Sequence, residues 1–270
     1  MDSAWLSGII PLTAMLLAAA FGMRVRRVLR EHHRNVETTE LLRGTVTMIV
    51  TFAAIVLGLL ITSSKANFDA AASAMQSYAA ALSDLEDALQ DAGPAAAPIR
   101  QNLAQYTAAA IASTWTTEPP PAGDYYPRNI SNDYNGMTYE SAALGKELRA
   151  IDAQISRLPA GTADQAQTKK SCASAMTQVM QQRWATIIAS QVSLSTPIFI
   201  VLVFWLFIVF LCLGLSTPFN ALSGLTIVLT AIALASALFV VADLDGLYSG
   251  LFVISSTPMR GALAQMLASH

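Results

Sequence analysis

Trp184–Ala242 reads WATIIASQVSLSTPIFIVLVFWLFIVFLCLGLSTPFNALSGLTIVLTAIALASALFVVA, a run without a single charged residue. A bilayer core takes about 20 apolar residues in a helix, so this run is too long for one span and fits two. The break falls at Ser216-Thr217-Pro218-Phe219-Asn220, because Pro218 has no amide proton and disfavours helix at the residue before it. Two further uncharged runs, Ser3–Met23 and Gly44–Ser64, fit one span each. The sequence therefore predicts four spans, near 4–23, 43–62, 197–215 and 221–241. Composition agrees: 13% of the residues are charged, against about 25% in soluble domains, and 54% are hydrophobic.

The first run is read as an anchor. A cleaved signal places its positive charge before the apolar stretch, whereas here Arg24, Arg26, Arg27 and Arg30 follow it. With Arg34 and Arg43 they make 24–43 the basic connecting loop, and short basic loops stay in the cytoplasm. The expected topology in a bacterial inner membrane thus has both termini, and the long segment 63–195, on the extracytoplasmic side. A net charge of −2 without a basic cluster argues against a nucleic-acid partner.

Segment 63–195 carries most of the chain's charges, and its apolar residues recur at helical spacing. Phe68, Ala72, Met75, Ala79, Leu82, Leu85 and Leu89 form one such series. Ile99, Leu103, Tyr106 and Ala110 form a second, and Leu144, Leu148, Ile151, Ile155 and Leu158 a third. Steps of three and four mark the buried face of an amphipathic helix. No Gly or Pro interrupts the chain between Gly58 and Gly93 or from Thr162 to Thr196. The second span is therefore expected to run on as helix to Gly93-Pro94, and the last helix of the segment to run into span three at Pro197. At 1.5 Å per residue, each such stretch makes a stalk of about 50 Å. Helices near 95–114 and 138–158 would pack on it as a bundle. Trp115–Met137, with Pro119-Pro120-Pro121, reads as a rigid loop. The fold class is all-α: a polytopic membrane protein with four transmembrane helices and an extramembrane helical bundle between helices 2 and 3. The domains are 1–62, 63–195, 196–242, and a C-terminal interfacial or re-entrant segment, 243–270.

Catalytic chemistry has little to build on. His32 and His33 are adjacent and do not share a helix face, so with Glu37 and Glu40 they read as a solvated loop rather than a metal site. His270 is the last residue. No zinc spacing, phosphate loop, dinucleotide fingerprint or nucleophile elbow occurs. The expectation is a non-enzyme with no cofactor, no metal and no catalytic residues. Cys172 and Cys212 fall in different domains, which excludes a bond between them. Cys172 reads as a free thiol, with a bridge between subunits as the alternative.

Two groups of polar and aromatic residues remain. Asp243 and Asp245 end the last apolar run, and Gly246–Thr257 is apolar again but too short to span. Buried acids in membranes usually face a bundle interior or a water-filled cavity, so the pair reads as an acidic mouth attracting cations or as a simple helix terminator. Thr45, Thr47 and Thr51 on span two, and Thr226, Thr230 and Ser236 on span four, either line a path or hydrogen-bond between helices. Gly8, Gly22, Gly44, Gly58 and Gly224 permit close helix approach and suit a homo-oligomer. In the loop, Trp115, Tyr125, Tyr126 and Tyr134, with Tyr139, are candidates for holding an envelope partner, the alternative being a cap on the bundle. Asn129-Ile130-Ser131 matches a glycosylation acceptor.

Three stretches carry a family resemblance. They are Glu37-Thr38-Thr39-Glu40-Leu41-Leu42-Arg43-Gly44-Thr45 at span two, Phe204-Trp205-Leu206-Phe207 with Gly214-Leu215 and Pro218-Phe219-Asn220-Ala221, and Asp243…Gly246…Gly250…Ser255-Ser256-Thr257-Pro258…Ala262-Leu263. The sequence resembles the bacterial bestrophin-like domain proteins of the inner membrane, which implies a four-span helical protein and lends support to a channel. The leading expectation is a homo-oligomer in membrane lipid, with spans two and four lining an ion-conducting, cation-preferring pathway. The alternative is a scaffold or sensor acting through an envelope partner.

Overall fold

A computed structural model describes residues 2–28, 36–128, 142–191, 196–217, 220–248 and 250–268. His32, His33, His270, Tyr134, Tyr139, Pro218 and the Asn129–Ser131 acceptor lie outside them. The described residues form eight α-helices: α1 (Asp2–Val28), α2 (Val36–Asp91), α3 (Ala97–Thr114), α4 (Ala142–Ile155), α5 (Ala163–Gln191), α6 (Thr196–Ser216), α7 (Ala221–Asp245) and α8 (Thr257–Ala268). No strand occurs among them. The fold is all-α, with four helices long and apolar enough to cross a membrane. The chain forms two compact units, one of residues 1–66 and 193–253, the other of residues 67–192 and 254–270. α2 enters both units.

In the first unit, α1 packs on α6 and α7. Met15, Ala18 and Ala19 of α1 meet Leu202, Leu206 and Phe210 of α6 and Ala231, Leu238 and Val241 of α7. Glycine sets the α1–α6 spacing. A Cβ on Gly22 would lie 2.4 Å from the Leu211 carbonyl oxygen, and one on Gly214 would lie 2.2 Å from that of Ala19. Two of the glycines read as oligomer contacts are thus occupied within the chain, Gly22 here and Gly8 against Phe239, whereas Gly44, Gly58 and Gly224 meet nothing. The break between spans three and four is sharp: α6 ends at Ser216, and the Asn220 side chain accepts from the Ser223 amide at 2.8 Å to cap α7, satisfying one of the donors a helix start leaves open. Much of the outward surface is apolar, with Phe52, Leu59, Phe204, Leu222 and Leu229 all exposed. That is the pattern of helices solvated by lipid, where the outside is as apolar as the inside.

The second unit is a helical bundle whose core was legible as periodicity. Met75, Leu82, Leu85 and Leu89 of α2, Ile99, Leu103 and Tyr106 of α3, and Leu144, Leu148, Ile151 and Ile155 of α4 are all buried. α2 continues as helix to Asp91, and Gly93, at φ +71°, turns the chain, a conformation glycine adopts without steric penalty. The junction expected between α5 and span three involves residues 192–195, outside the described residues. Two polar contacts lie in the core. Glu86, on the buried stripe of α2, takes a forked contact from Arg100 at 2.6 and 2.7 Å, and the Tyr78 and Tyr106 hydroxyls meet at 2.5 Å.

The C-terminal helix α8 belongs to this bundle and packs on α3. Met259, Ala262, Leu263 and Met266 are its buried face. The Trp115 indole donates to the Ile254 carbonyl at 2.7 Å, and Glu118 accepts from Ser256 and Arg260. Nothing in the sequence reading assigned 257–268 to the bundle.

Candidate functional site

The end of α7 separates the two aspartates. Asp243 is 1% exposed, and its Oδ2 accepts the amides of Leu251 and Phe252, both at 2.9 Å. Gly250 makes this possible. It sits at φ +135° with its α-carbon against the carboxylate, and a Cβ there would come within 2.4 Å of Asp243 Oδ1. Asp243 therefore ties Leu251 and Phe252 back onto the helix end. Asp245, two residues on, is exposed. Residues two apart point to different sides of a helix, and this spacing gives one carboxylate to the turn and one to the surface.

The hydroxyls of the spans are also divided. With about 100° of turn per residue, Gly44, Thr47, Thr51, Ile55, Gly58 and Thr62 fall on one lengthwise stripe of α2, all of them exposed. Thr45 lies about a third of a turn off it. A different face of α2, about a third of a turn round, carries Val46, Val50, Ala53, Ala54 and Leu57, which line an apolar groove of about 390 Å³ together with residues of α6 and α7, Thr230 among them. Thr47 and Thr51 are thus exposed and not among the groove's lining residues, while Thr230 is one of them, so the described residues of one chain do not bring the two sets together. On α7, Thr226 and Thr230 share a face and Ser236 lies off it by roughly a third of a turn.

Each hydroxyl on the α2 stripe spends its proton on its own helix: Thr47 on the Arg43 carbonyl at 2.8 Å, Thr51 on that of Thr47 at 2.8 Å and Thr62 on that of Gly58 at 2.9 Å. Thr45, Thr226, Thr230 and Ser236 bond back likewise. A hydroxyl that donates to its helix presents only lone pairs outward. The stripe is an acceptor surface.

In the loop after α3, Trp115 is 1% exposed and Tyr126 5%. Trp115 is bonded to Ile254, and the Tyr126 hydroxyl donates to the Pro121 carbonyl at 2.9 Å. Tyr125 is half-buried and stands edge-on to Tyr126, 5.4 Å between ring centres. Burial raises its phenol above the usual range, with Tyr126 adding to the shift. These rings serve the bundle itself. Pro119, Pro120, Asp124 and Arg128 form the loop's exposed rim. Cys172 is buried, its thiol against the Ala88 carbonyl at 3.2 Å, and burial raises its pKa.

Four apolar helices of membrane-spanning length, α1 packed on α6 and α7 among them, together with a helical bundle, define an all-α, multi-span membrane protein. The chain matches the Bestrophin-like domain over residues 13–259. It belongs to the bestrophin-like domain family. The fold is similar to crystal structures of single-substitution variants of a bacterial bestrophin homologue from Klebsiella pneumoniae. One has a TM-score of 0.68 at 13% identity, covering 100% of this chain and 98% of that one. Another has a TM-score of 0.66 at 14% identity, covering 97% and 98%. At such identity the likeness is one of fold. No curated protein matches the sequence.

Proposed function

We propose that the protein assembles as a homo-oligomer in the bacterial inner membrane and conducts ions, preferring cations, along a path lined by the α2 stripe. The observation that carries the reading is the outward stripe itself. In the span, Thr47, Thr51 and Thr62 are exposed and are not among the residues lining the groove toward α6 and α7, beside glycines that leave room for close approach. A polar face in a bilayer is most favourably satisfied by water or by another protein surface. Copies of the chain arranged about an axis provide both. Membership of a family whose solved relatives are bestrophin homologues supports the same reading.

The cation preference rests on chemistry. Lone pairs and carboxylates replace water around a cation, while an anion needs donors. In this reading Asp245 supplies charge at the extracytoplasmic mouth, Asp243 holds the turn behind it, and α7 supports α2 through the groove at Thr230. The orientation follows the arginines of 24–43, which keep that loop inside and domain 63–195 outside.

The test is reversal potential and conductance of the purified oligomer in vesicles under a salt gradient. Thr51→Val, on the stripe, is expected to lower conductance several-fold, Thr45→Val to leave it near wild type, and Asp245→Asn to reduce cation preference. Folded oligomers that pass no current, or equal effects of Thr51→Val and Thr45→Val, would overturn the assignment. The second reading is a scaffold that meets an envelope protein through the exposed rim Pro119–Pro120 and Asp124–Arg128. Crosslinking from Asp124→Cys into a defined partner would favour it.

A further inference from the structure

The bundle holds a small polar pocket that neither reading uses. It lies between α3 and α4, has a volume of about 220 Å³, and is lined by Asn102, Gln105, Glu147, Ile151 and Gln154, with Pro127 from the loop at one side. The Asn102 amide donates to the Gln154 carboxamide oxygen at 3.0 Å and closes one end. Glu147, one α4 turn before Ile151, is the one charged residue among the described residues that line the pocket. No cation pairs with this carboxylate among the described residues. Its neighbours Lys146 and Arg149 are exposed and do not line the pocket, and Arg183 is hydrogen-bonded to Tyr106. Burial accordingly raises the Glu147 pKa above the usual carboxylate range, the sign of an anion short of compensation.

We infer that this pocket binds a small aliphatic primary amine, its ammonium on Glu147, its methylenes on Ile151 and Pro127, and a second donor at the carboxamides of Gln105 and Asn102. Size limits the ligand: the volume is that of roughly seven waters, enough for a chain of four carbons with polar ends. An anion is disfavoured by the carboxylate. A divalent metal would want more ligands than one carboxylate, and no group of three His, Cys, Asp or Glu able to hold a metal occurs among the described residues. Carboxamide oxygens, which only accept, complete the fit to a donor-rich ligand. The inference is independent of ion conduction.

Putrescine is the probe, with 1,4-butanediol and succinate as the uncharged and anionic comparators of similar length. Calorimetry on the full chain in detergent is expected to show saturable putrescine binding with a Kd near or below about 1 mM, and no heat from the comparators. Glu147→Gln should weaken putrescine at least tenfold while keeping the wild-type Tm, since it neutralises an uncompensated charge. Ala150→Trp fills the pocket from the exposed side of α4 and should abolish binding by a second route. Equal binding by wild type and Glu147→Gln, binding that survives Ala150→Trp, or no putrescine binding at all would each overturn the proposal.

Discussion

Removing the Asp243 carboxylate should release the turn that follows α7 and little else. The side chain accepts two backbone amides at 2.9 Å, and hydrogen bonds to a charged acceptor contribute about 1.5–3 kcal/mol each. Leu251 and Phe252 are themselves exposed, so water recovers part of this, and about 2–4 kcal/mol of local stability is expected to go in Asp243→Ala. At 1.4 kcal/mol per factor of ten, amide exchange at Leu251 and Phe252 should quicken on the order of 10- to 1,000-fold. Asp243→Asn keeps an acceptor oxygen but loses the charge, and should fall between, near tenfold. Gly250→Ala reaches the same contact from the other side: its Cβ would lie 2.4 Å from Asp243 Oδ1, at φ +135°, and strain of this kind costs about 1–3 kcal/mol. The double variant Asp243→Ala/Gly250→Ala should be less destabilised than the two singles added, because the clash disappears with the carboxylate. Hydrogen exchange read by mass spectrometry on the 246–253 peptide is the assay. Unchanged exchange there in Asp243→Ala, or a change spread evenly along α7, would refute the assignment.

Gly22→Leu or Gly214→Leu should separate α1 from α6 and destabilise the span unit by about 1–3 kcal/mol or more, read as a lower Tm in detergent, with Gly58→Leu far milder because a Cβ there meets nothing. Trp115→Phe removes the hydrogen bond to Ile254 and should cost about 1 kcal/mol, with faster exchange confined to α8 and its approach. Cys172, buried and with its thiol pKa raised, holds less thiolate than a free cysteine at any given pH. It should label slowly with maleimide at neutral pH until the bundle is unfolded, and oxidised samples should run as monomers on non-reducing gels. A reporter fused near residue 130 should be active outside the cytoplasm; intracellular activity would reverse the orientation and move Asp245 to the inner face.

Much of this was legible one residue at a time, because it follows from quantities that add along the chain. Hydropathy located the four helices, α6 and α7 to within four residues at either end and α2 beginning seven residues ahead of the expected start, since each must by itself satisfy its backbone and match a bilayer. Periodicity exposed the α2, α3 and α4 stripes. Absence of Gly and Pro predicted that α2 runs unbroken to Asp91. The resemblance to the bestrophin-like family rested on the same membrane segments that carry the match.

What spacing cannot hold is the direction in which a group faces once helices pack. Asp243 and Asp245 read as one acidic pair, but the Gly250 turn takes the first and leaves the second exposed. Trp115 and Tyr126 read either as a partner surface or as a cap on the bundle, and spacing left the two open; their polar atoms are bonded to Ile254 and Pro121, the first far along the chain. The six span hydroxyls read either as a lining or as hydrogen bonds between helices; helix rotation puts Thr47 and Thr51 about a third of a turn from the α2 face that lines the groove with Thr230. The docking of α8 and the Glu147 pocket left no sequence signal, because both depend on contacts between elements that are distant in the chain. Local free energies fixed which segments are helices; the packing of one helix on another decided what each face is available to do.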